Sequence, residues 1–588
     1  MTPTRTFDFL DILKTCFPGK DDVFARIVNG KWLKYSVDDY IEASWNVACG
    51  LLAKGYKPED KVLVVCNNCP EWNFLDMGCA LARMIFVPVY QTLSPEEFLF
   101  VLNHSDTRLI VVGNKSMYNK LSSIIAAMDH SAEVMTIDDC KCGYCLDELI
   151  ELGRQNRKRF DSEIERNKRE ISPDDVATII YTSGTTGASK GVMLTHRNLT
   201  FNSHSHALLQ TAGPQHKMLS FLPLCHAYER TMNYEFQQLG ISIYYAENLS
   251  TIQRDMASIP GDGFCAVPRV LEMMYSKFED AGKNLKGLKR RIYKWAWSFG
   301  NNYDNSRKDF LYSFKHNLAN KLVYSKWRAA FGGHELWLVV GGAAIRQNIV
   351  RLFTAAKLNV YQGYGMTEAS PVIAVNPPAD NNLGTNGHPL NNTEIKFAED
   401  GEILVRGPHI MKGYYKDETA THDIIDHDGW LHTGDVGYLK EGDCLMITDR
   451  KKEIFKLSSG KYIAPQIIEN KLHESPYIEN CIVFGEHQKF ASAIIVPNME
   501  MLRQWITKND IKLEVNAEEL VRNKTIIDML NKEVLKANKT LSDYEKIKKC
   551  FFSSETWSVE NGMLSQTLKP KRTKILSKYK SIVESAYK

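Results

Sequence analysis

Short runs of β-branched and aliphatic residues alternate with helical patterns along much of the chain, and this alternation constrains the fold more than any other feature. Turn residues and helix starts separate the runs, as is typical of buried strands. Ser94, Pro95 and Glu97, for example, have the order of a capped helix start. Strands that alternate with helices predict parallel sheets covered on both faces, and therefore an α/β fold. The predicted strands are residues 61–65, 86–90, 108–112, 176–181, 336–340 and 358–361.

The character of the chain changes near residue 450. Residues 444–448 are a predicted strand, and the charged segment 449–453 that follows is predicted to be a connector, because it contains no apolar residue. A smaller α+β segment comes next. Since 588 residues are too many for one ordinary core, two domains are expected. The sequence predicts a large N-terminal domain of parallel and mixed sheets flanked by helices, residues 1–450, and a small C-terminal α+β domain, residues 451–588.

Composition and charge exclude several classes of protein. The chain is 44% hydrophobic and 24% charged, as expected of a folded protein. Its net charge is only +3, so it lacks the basic excess with which a nucleic-acid binder displaces counterions. The N-terminal segment has no basic stretch followed by an apolar one, and no run of about eighteen apolar residues is present. We therefore expect a cytoplasmic protein with neither a signal peptide nor a transmembrane helix.

Thirteen cysteines are spread along the chain. The odd number favours free thiols in a reducing compartment. Cys140, Cys142 and Cys145 have a spacing similar to that of zinc ligands, but a structural zinc site takes four ligands and this trio has no local fourth. Zinc binding is therefore disfavoured.

A loop rich in glycine and hydroxyl residues follows the predicted strand 176–181. Residues 181–191 are Tyr-Thr-Ser-Gly-Thr-Thr-Gly-Ala-Ser-Lys-Gly. Glycines allow the backbone to approach a polyanion, successive N–H groups and hydroxyls can surround a phosphate, and Lys190 adds a positive charge. The G-x-x-x-x-G-K-[ST] spacing of a Walker A loop is absent. Taken alone, a flexible hydroxyl-rich turn explains the string equally well.

Two later segments carry residues suited to a nucleotide. Residues 340–344, Val-Gly-Gly-Ala-Ala, end a predicted strand, where a glycine pair leaves room for a flat base. In residues 361–368, Tyr364 offers a stacking face, Thr367 can bond a phosphate, and Glu368 is a hard oxygen ligand suited to magnesium. In isolation, each segment also fits a tight turn or a helix start.

Together with residues 429–435, 449–450 and 564–572, these segments resemble, in order, the signature motifs of the adenylate-forming superfamily. That superfamily includes acyl-CoA synthetases, peptide-synthetase adenylation domains and firefly luciferase. The resemblance covers roughly residues 30–575 and implies that Lys569 is the catalytic lysine, acting with Thr367, Glu368 and Lys190, and that Glu368 binds magnesium. The residues that it implies for ATP or AMP are Thr182, Ser183, Gly184, Thr185, Thr186, Gly187, Lys190, Gly342, Ala343, Gln362, Gly363, Tyr364, Gly365, Thr367, Asp435 and Arg450.

The resemblance also implies a mobile C-terminal lid. Members of the family rotate this small domain between two half-reactions, which withdraws the lysine and builds a tunnel for a thiol. Lys452 matches the hinge, and Gly460 lies where the pantetheine arm of coenzyme A passes close to the backbone. Ser189 stands where many members carry proline, a departure expected to alter loop stiffness rather than chemistry.

Several strings are similar to the long-chain fatty-acid branch of the superfamily: residues 221–230, 267–272, 293–327 and 449–465. They imply ATP-dependent activation of a long-chain fatty acid to acyl-AMP with release of pyrophosphate, followed by thioester formation with coenzyme A. His226 is a candidate for the mouth of the acyl site. A structural histidine satisfied by the backbone is an equally good interpretation.

Other interpretations stay open at this point. The same first step can serve acyl carrier protein or a non-fatty carboxylate, and a non-catalytic fatty-acid-binding protein can keep the fold. The presence of Lys569, Glu368 and Asp435 favours the enzyme. The basic, aromatic stretch 283–297 fits either peripheral contact with an anionic membrane or an ordinary amphipathic surface helix. The oligomeric state is open, a homodimer included.

Overall fold

A computed structural model describes residues 1–141, 143–183, 189–440, 442–451, 453–509, 511, 516–565 and 569–587, apart from the side chains of Ser183 and Leu249. The strands are β1 (Phe24–Val28), β2 (Lys31–Tyr35), β3 (Lys61–Val65), β4 (Ile85–Pro88), β5 (Thr107–Val112), β6 (Glu133–Thr136), β7 (Tyr144–Cys145), β8 (Val176–Ser183), β9 (Ser189–Thr195), β10 (Lys217–Ser220), β11 (Ser242–Tyr245), β12 (Gly263–Ala266), β13 (Leu336–Val340), β14 (Leu358–Gly365), β15 (Val372–Val375), β16 (His388–Pro389), β17 (Glu394–Phe397), β18 (Glu402–Arg406), β19 (Gly413–Tyr414), β20 (Leu431–Lys440), β21 (Cys444–Arg450), β22 (Phe455–Lys456), β23 (Tyr462–Ile463), β24 (Ile478–Phe484), β25 (Ser492–Pro497) and β26 (Lys549–Phe552).

The helices are α1 (Asp8–Cys16), α2 (Val37–Ala53), α3 (Pro70–Leu81), α4 (Pro95–His104), α5 (Lys115–Ile125), α6 (Leu146–Glu170), α7 (His196–Ala207), α8 (Ala227–Gln238), α9 (Ile252–Ser258), α10 (Pro268–Lys283), α11 (Gly287–Asn301), α12 (Phe310–Ala319), α13 (Ser325–Ala329), α14 (Gln347–Ala355), α15 (Glu418–Ile424), α16 (Pro465–Leu472), α17 (Met499–Lys508), α18 (Ala517–Leu520), α19 (Lys524–Asn538), α20 (Arg572–Lys578) and α21 (Lys580–Ser585). Shorter turns of 3-10 or π type lie at Leu249–Thr251, Asn320–Tyr324 and Thr367–Ala369.

Two large sheets dominate the first 415 residues. In the first sheet, the order β16-β15-β14-β13-β12-β10-β11-β1-β2 has parallel pairing from β14 to β1 and antiparallel strands at both edges. In the second, the order is β19-β9-β8-β4-β3-β5-β6-β7, parallel from β8 to β7 with β9 returning antiparallel beside β8. Parallel sheets separated by helices confirm the predicted α/β class.

Helices α2, α3 and α8 are buried between the two sheets, and the side chains of β3 show how the layers form. Val62 and Val64 face this shared core, whereas Leu63 and Val65 face the opposite side with α4 and α5. Such alternation follows from the two-residue period of a strand. The outer face of the first sheet packs against α10, α11 and α14. Each sheet is therefore covered on both faces.

Two smaller sheet units follow. Strands β17, β18, β20 and β21 form an antiparallel sheet. Strands β24, β25 and β26 form a mixed sheet, antiparallel between β24 and β25 and parallel between β25 and β26, that packs with α16 and α19. The predicted connector at residues 449–453 is wrong at its start, because β21 continues through Asp449 and Arg450. Their backbones pair with Val436 and Asp435 of β20, so charged side chains here lie on a strand rather than in a linker.

The local sequence signals identified above have different outcomes. The helix start at Ser94 is confirmed as a reciprocal cap: the Glu97 N–H donates to the Ser94 hydroxyl, and the Ser94 N–H donates to the Glu97 carboxylate. Cys142 lies outside the described residues, and within them no three or more histidine, cysteine or acidic side chains are grouped to hold a metal ion. Within the described ranges, no helix combines the length and apolar composition needed to cross a membrane.

A fully buried arginine joins the elements between the sheets. Arg230 on α8 donates from Nη1 to the Thr178 hydroxyl on β8, at 2.7 Å, and from Nε to the Tyr234 hydroxyl, at 2.8 Å. Its Nη2 donates to Asp76 on α3, which also accepts a hydrogen bond from Tyr234. The Thr178 hydroxyl in turn donates to the carbonyl of Phe86 on β4, at 2.6 Å. One side chain thus ties two helices and two strands together.

Replacing this arginine is expected to destabilise the N-terminal region strongly. Arg230→Ala leaves the Asp76 carboxylate buried without its cation, which typically lowers the free energy of unfolding by about 3–5 kcal/mol. Urea denaturation followed by tryptophan fluorescence measures the change. Arg197→Ala is the matched control, because Arg197 pairs with Asp174 on the surface and such pairs contribute at most about 1 kcal/mol. Equal shifts of the unfolding midpoint in the two variants would contradict the assigned role of Arg230.

Candidate active site

Most of the nucleotide-binding segments predicted from the sequence lie at the carboxyl ends of parallel strands. Residues 184–188 follow β8, residues 341–344 follow β13, and Tyr364 lies near the end of β14. His226 follows β10 after a short loop. Ligands of open α/β sheets bind in this position, because the strand ends and their loops surround a crevice there.

The glycine- and hydroxyl-rich loop connects two paired strands. Thr182 of β8 is opposite Lys190 of β9, and Ser183 is opposite Ser189. Gly184, Thr185, Thr186 and Gly187 lie outside the described residues. The loop therefore starts and ends at one pair of strand ends.

Lys190, Tyr414 and Glu368 form one side of the site. The Lys190 ammonium lies over the Tyr414 ring, 4.7 Å from its centroid, and the Tyr414 hydroxyl donates to Glu368 Oε1 at 2.8 Å. Burial raises the pKa of the Glu368 carboxyl, whereas the hydrogen bond from Tyr414 and the charge of Lys190 lower it. Thr367, which precedes Glu368 in a 3-10 turn, is buried. A carboxylate is thereby held close to the ends of the glycine- and hydroxyl-rich loop.

Tyr364, Asp435 and Arg450 form the opposite side. The Tyr364 hydroxyl donates to Asp435 Oδ2 at 2.7 Å, and Arg450 Nε lies 3.6 Å from Asp435 Oδ1. Asp435 and Arg450 are direct partners across β20 and β21. Burial raises the pKa of Asp435, while Arg450, Tyr364 and Lys569 all favour its ionised form. Strand pairing thus fixes the carboxylate beside the guanidinium, and a hydrogen bond joins the aromatic ring to them.

Lys569, from the C-terminal segment, reaches this cluster. Burial and the nearby Arg450 lower the pKa of its ammonium to about 8, whereas Asp435 and Glu453 act in the opposite direction. The Lys569 N–H donates to the Ser565 hydroxyl at 3.0 Å, and the Ser565 N–H donates back to the Lys569 carbonyl at 2.7 Å. These bonds fix the backbone from which the side chain extends.

His226 lies within electrostatic range of Lys569. Burial is the main cause that lowers the pKa of its imidazole to about 4, and the lysine charge adds to the effect. Its Nδ1 accepts a hydrogen bond from the Tyr228 N–H at 3.1 Å and thereby caps α8. The neutral ring thus performs the structural task and also faces the site.

The remaining nucleotide candidates follow β13 or lie on β14. Gly342 has a φ of +81°, a conformation that favours glycine. A Cβ on Gly365 would lie 1.9 Å from the Pro371 carbonyl oxygen, so no other residue fits there. A Cβ on Gly363 would make ordinary contacts only. Gln362 is buried, and its Oε1 has no hydrogen-bond partner among the described residues. Ala343 is half-buried beside Gly342.

Two further candidates belong to the C-terminal segment. Lys452 lies outside the described residues. Gly460 is an exposed turn residue in the C-terminal segment, with a φ of +84° and its N–H donating to the Leu457 carbonyl at 2.9 Å. The turn between β22 and β23 is sufficient to explain a glycine at this position.

Sequence reasoning missed Tyr414 and the contacts between the two halves of the chain. Tyr414 belongs to the string Gly-Tyr-Tyr at residues 413–415, whose aromatic pair beside a glycine was the available signal. Arg346 Nη1 donates to the carbonyl of His473 at 2.7 Å, and Arg269 Nη2 lies 3.4 Å from Glu479 Oε1. No local pattern predicts such contacts, because they join residues more than a hundred positions apart.

Family models for AMP-binding enzymes match the chain twice. The model described as AMP-binding enzyme matches residues 17–415, and the model for the AMP-binding enzyme C-terminal domain matches residues 452–588. The chain therefore belongs to the AMP-binding enzyme family, which confirms the resemblance drawn from its motifs.

Individual proteins that are similar to the chain include ligases and an adenylation domain. The chain is 30% identical to the human long-chain-fatty-acid–CoA ligase 1 over 594 residues, covering 95% of this chain and 82% of the relative. It is 29% identical to a long-chain-fatty-acid–CoA ligase of Mycobacterium bovis, covering 96% and 94%. The adenylation domain of a carboxylate reductase from Mycobacterium chelonae has the same fold, with a TM-score of 0.76 at 18% identity, covering 99% of this chain and 91% of that domain.

The environment of Lys569 gives a direct prediction. Its ammonium is expected to titrate with a pKa of about 8, well below the ordinary lysine value of about 10.4. Reductive methylation with carbon-13 formaldehyde, followed by NMR across a pH series, measures this pKa. The signal is assigned by its loss in Lys569→Arg, and exposed Lys574 is the internal reference. Titration of Lys569 together with Lys574 would show that the lysine is solvated instead.

Proposed function

We propose that the protein is an AMP-forming ligase that activates a long-chain fatty acid with ATP and transfers the acyl group to coenzyme A. The observation that carries this proposal is the cluster of Lys569, Asp435, Arg450 and Tyr364 at the carboxyl edge of the first sheet. It brings the predicted catalytic lysine to the predicted ribose ligand. The ligases among its relatives support the choice of a fatty acid as the substrate.

In the first half-reaction, the fatty-acid carboxylate attacks the α-phosphorus of ATP. A carboxylate–phosphorus bond forms, the bond to pyrophosphate breaks, and acyl-AMP remains. Two anions approach each other in this step, so a cation between them lowers the barrier. We assign this task to Lys569, which remains mostly protonated near pH 7 with a pKa of about 8. Lys190 neutralises phosphate charge from the other side.

The nucleotide is held by groups on several elements. The Asp435 carboxylate accepts both ribose hydroxyls, and Arg450 favours its ionised form. Tyr364 stacks on the adenine, its ring orientation fixed by the bond to Asp435. The base also borders Gly342, Ala343, Gln362, Gly363 and Gly365, and the phosphates lie against Thr182, Ser183, Gly184, Thr185, Thr186, Gly187 and Thr367.

Magnesium is the expected metal cofactor. It usually binds through one or two carboxylates together with substrate phosphates, and the half-buried Glu368 carboxylate near the phosphate loop fits that arrangement. The ion, when bound, neutralises phosphate charge. Tyr414 orients the carboxylate through its hydroxyl.

In the second half-reaction, the thiolate of coenzyme A attacks the acyl carbonyl, a thioester forms and AMP leaves. We propose that residues 451–588 act as a lid that rotates about Lys452, relative to residues 1–450, and thereby withdraws Lys569. Gly460 then borders the pantetheine arm. His226 lines the mouth of the acyl site as an uncharged group, consistent with its lowered pKa of about 4. We further propose that the enzyme works in the cytoplasm and contacts membranes peripherally.

The reaction itself is tested by pyrophosphate release. With ATP and magnesium, long-chain acids such as oleate are expected to give pyrophosphate, to require coenzyme A for repeated turnover, and to exceed acetate by a wide margin. A coupled assay across acids of increasing length measures this. Activity only with short or aromatic acids would change the assigned substrate, and binding of oleate without pyrophosphate would remove the enzyme assignment.

Lys569→Ala is expected to separate the two half-reactions. Losing a charge that stabilises the transition state typically costs about 100-fold or more in rate, and this loss is expected in adenylate formation. Thioester formation from synthetic acyl-AMP is expected to be nearly unchanged. Rapid-quench measurement of each step tests this, with Lys574→Ala as a control that removes an exposed cation from the same segment. Equal losses of rate in both steps would contradict the role assigned to Lys569.

A further inference from the structure

Helix α12 exposes a stripe of large apolar side chains. Phe310 is 86% exposed, Leu311 60%, Phe314 57% and Leu318 38%. At 3.6 residues per turn, these four positions lie within an arc of about 100° on one side of the helix. Soluble surfaces rarely present so many apolar side chains together, and such patches usually mark an interaction site.

The opposite side of α12 holds the helix against the protein. Tyr312 and His316 approach Phe299 of α11, with ring centroids 5.0 and 6.2 Å apart, and Ala319 is buried. The helix is therefore anchored by one face, and the apolar stripe points away from that contact.

The aromatic residues of α11 are not part of this surface. The sequence suggested Trp295 and Trp297 as candidates for contact with lipid. Instead, both pack against the hydrophobic core of the first sheet, and the Trp297 ring lies 4.7 Å from that of Tyr275. Trp297 and the buried Gly300 are three residues apart on α11 and therefore lie on the same side of the helix. The Trp297 side chain points toward the core for this reason.

The segment that carries the stripe is strongly basic. Residues 284–326 contain ten lysines and arginines against two aspartates, a net charge of +8, whereas the whole chain carries only +3. All ten basic residues are exposed. Examples are Lys308, which precedes the stripe, Lys315, which lies between Phe314 and Leu318, and Arg290 and Arg291 on α11. The basic charge of the chain is thus concentrated in this one segment.

We propose that α12 docks on an anionic phospholipid bilayer. Its four apolar side chains enter the boundary between headgroups and acyl chains, and the surrounding lysines and arginines contact the anionic headgroups. The benefit to the enzyme rests on the proposed function, since long-chain acids partition into bilayers, but the binding itself does not depend on catalysis.

A second copy of the chain fits this surface less well. A stable dimer interface usually buries about 1,200–2,000 Å² in total, more than the stripe of one ten-residue helix provides. In a twofold dimer the same patch meets itself, which would place two segments of net charge +8 together. An anionic bilayer complements both the apolar stripe and its charge.

The test is flotation of the full-length protein with vesicles, without ATP or coenzyme A. Vesicles contain phosphatidylcholine alone or with about one quarter phosphatidylglycerol, and binding is expected only to the anionic vesicles and to weaken with salt. Phe310→Ser combined with Phe314→Ser is expected to lower the partition coefficient at least about tenfold. Arg290→Gln combined with Arg291→Gln is expected to lower it and to reduce its salt dependence.

Leu208→Ser combined with Leu535→Ser is the matched control. These leucines are 63% and 61% exposed and lie outside residues 284–326, so their replacement is expected to leave vesicle binding unchanged. Far-UV circular dichroism and the urea unfolding midpoint, measured without vesicles, check that each variant is folded. Unchanged binding of the phenylalanine variant would overturn the proposal. The proposal would also be overturned if the wild-type protein forms a dimer and does not bind vesicles, and the phenylalanine variant no longer dimerises. Binding to vesicles without any pyrophosphate release would remove the proposed function and leave the docking surface intact.

Discussion

The guanidinium of Arg230 sets the relative positions of the elements on which the site depends. It bonds Thr178 near the start of β8, the strand that ends at the glycine- and hydroxyl-rich loop. It also belongs to α8, the helix that His226 caps. A buried ion pair does little for stability by itself, because desolvation opposes it. Its three directed hydrogen bonds, however, are satisfied in only one arrangement of strand and helix, and that arrangement brings the loop and the histidine to the same edge of the sheets.

Charge balance at that edge comes from residues on different parts of the chain. Asp435 and Arg450 are held by strand pairing, whereas Lys569 comes from the C-terminal segment. Without a substrate, the acid and the two cations partly compensate one another, and burial makes each charge costly. In the proposed reaction, phosphates and a carboxylate add negative charge at this edge, and both cations are in place before these substrates arrive. Preorganised charge of this kind requires no rearrangement during the reaction.

The sequence predicted what depends on local pattern. The β-rich runs identified the central strands. The glycine and hydroxyl strings predict a nucleotide site, because backbone approach to a nucleotide restricts the choice of residues, and this assignment stays a prediction. The sequence did not predict features that depend on contacts between distant segments. Asp449 and Arg450 have the composition of a linker, yet β20 supplies their ladder partners. Trp297 is a typical interfacial residue, yet the core of the first sheet takes it up, and the exposed stripe of α12 becomes visible only when the contacts of Tyr312 and His316 are known.

The bond between Arg346 and the His473 carbonyl links two parts of the molecule that are usually considered separately. Arg346 follows the segment 341–344 by two residues, and His473 lies just beyond α16 in the C-terminal segment. If residues 451–588 rotate as proposed, a ligand that shifts the first segment is expected to change the stability of this bond, and with it the free energy difference between the lid orientations. Thermodynamic linkage makes the effect reciprocal: a lid orientation that breaks the bond changes the affinity for that ligand by the same factor. Nucleotide affinity is then a property of the whole chain, and a binding constant measured on the N-terminal residues alone is expected to differ from that of the intact protein.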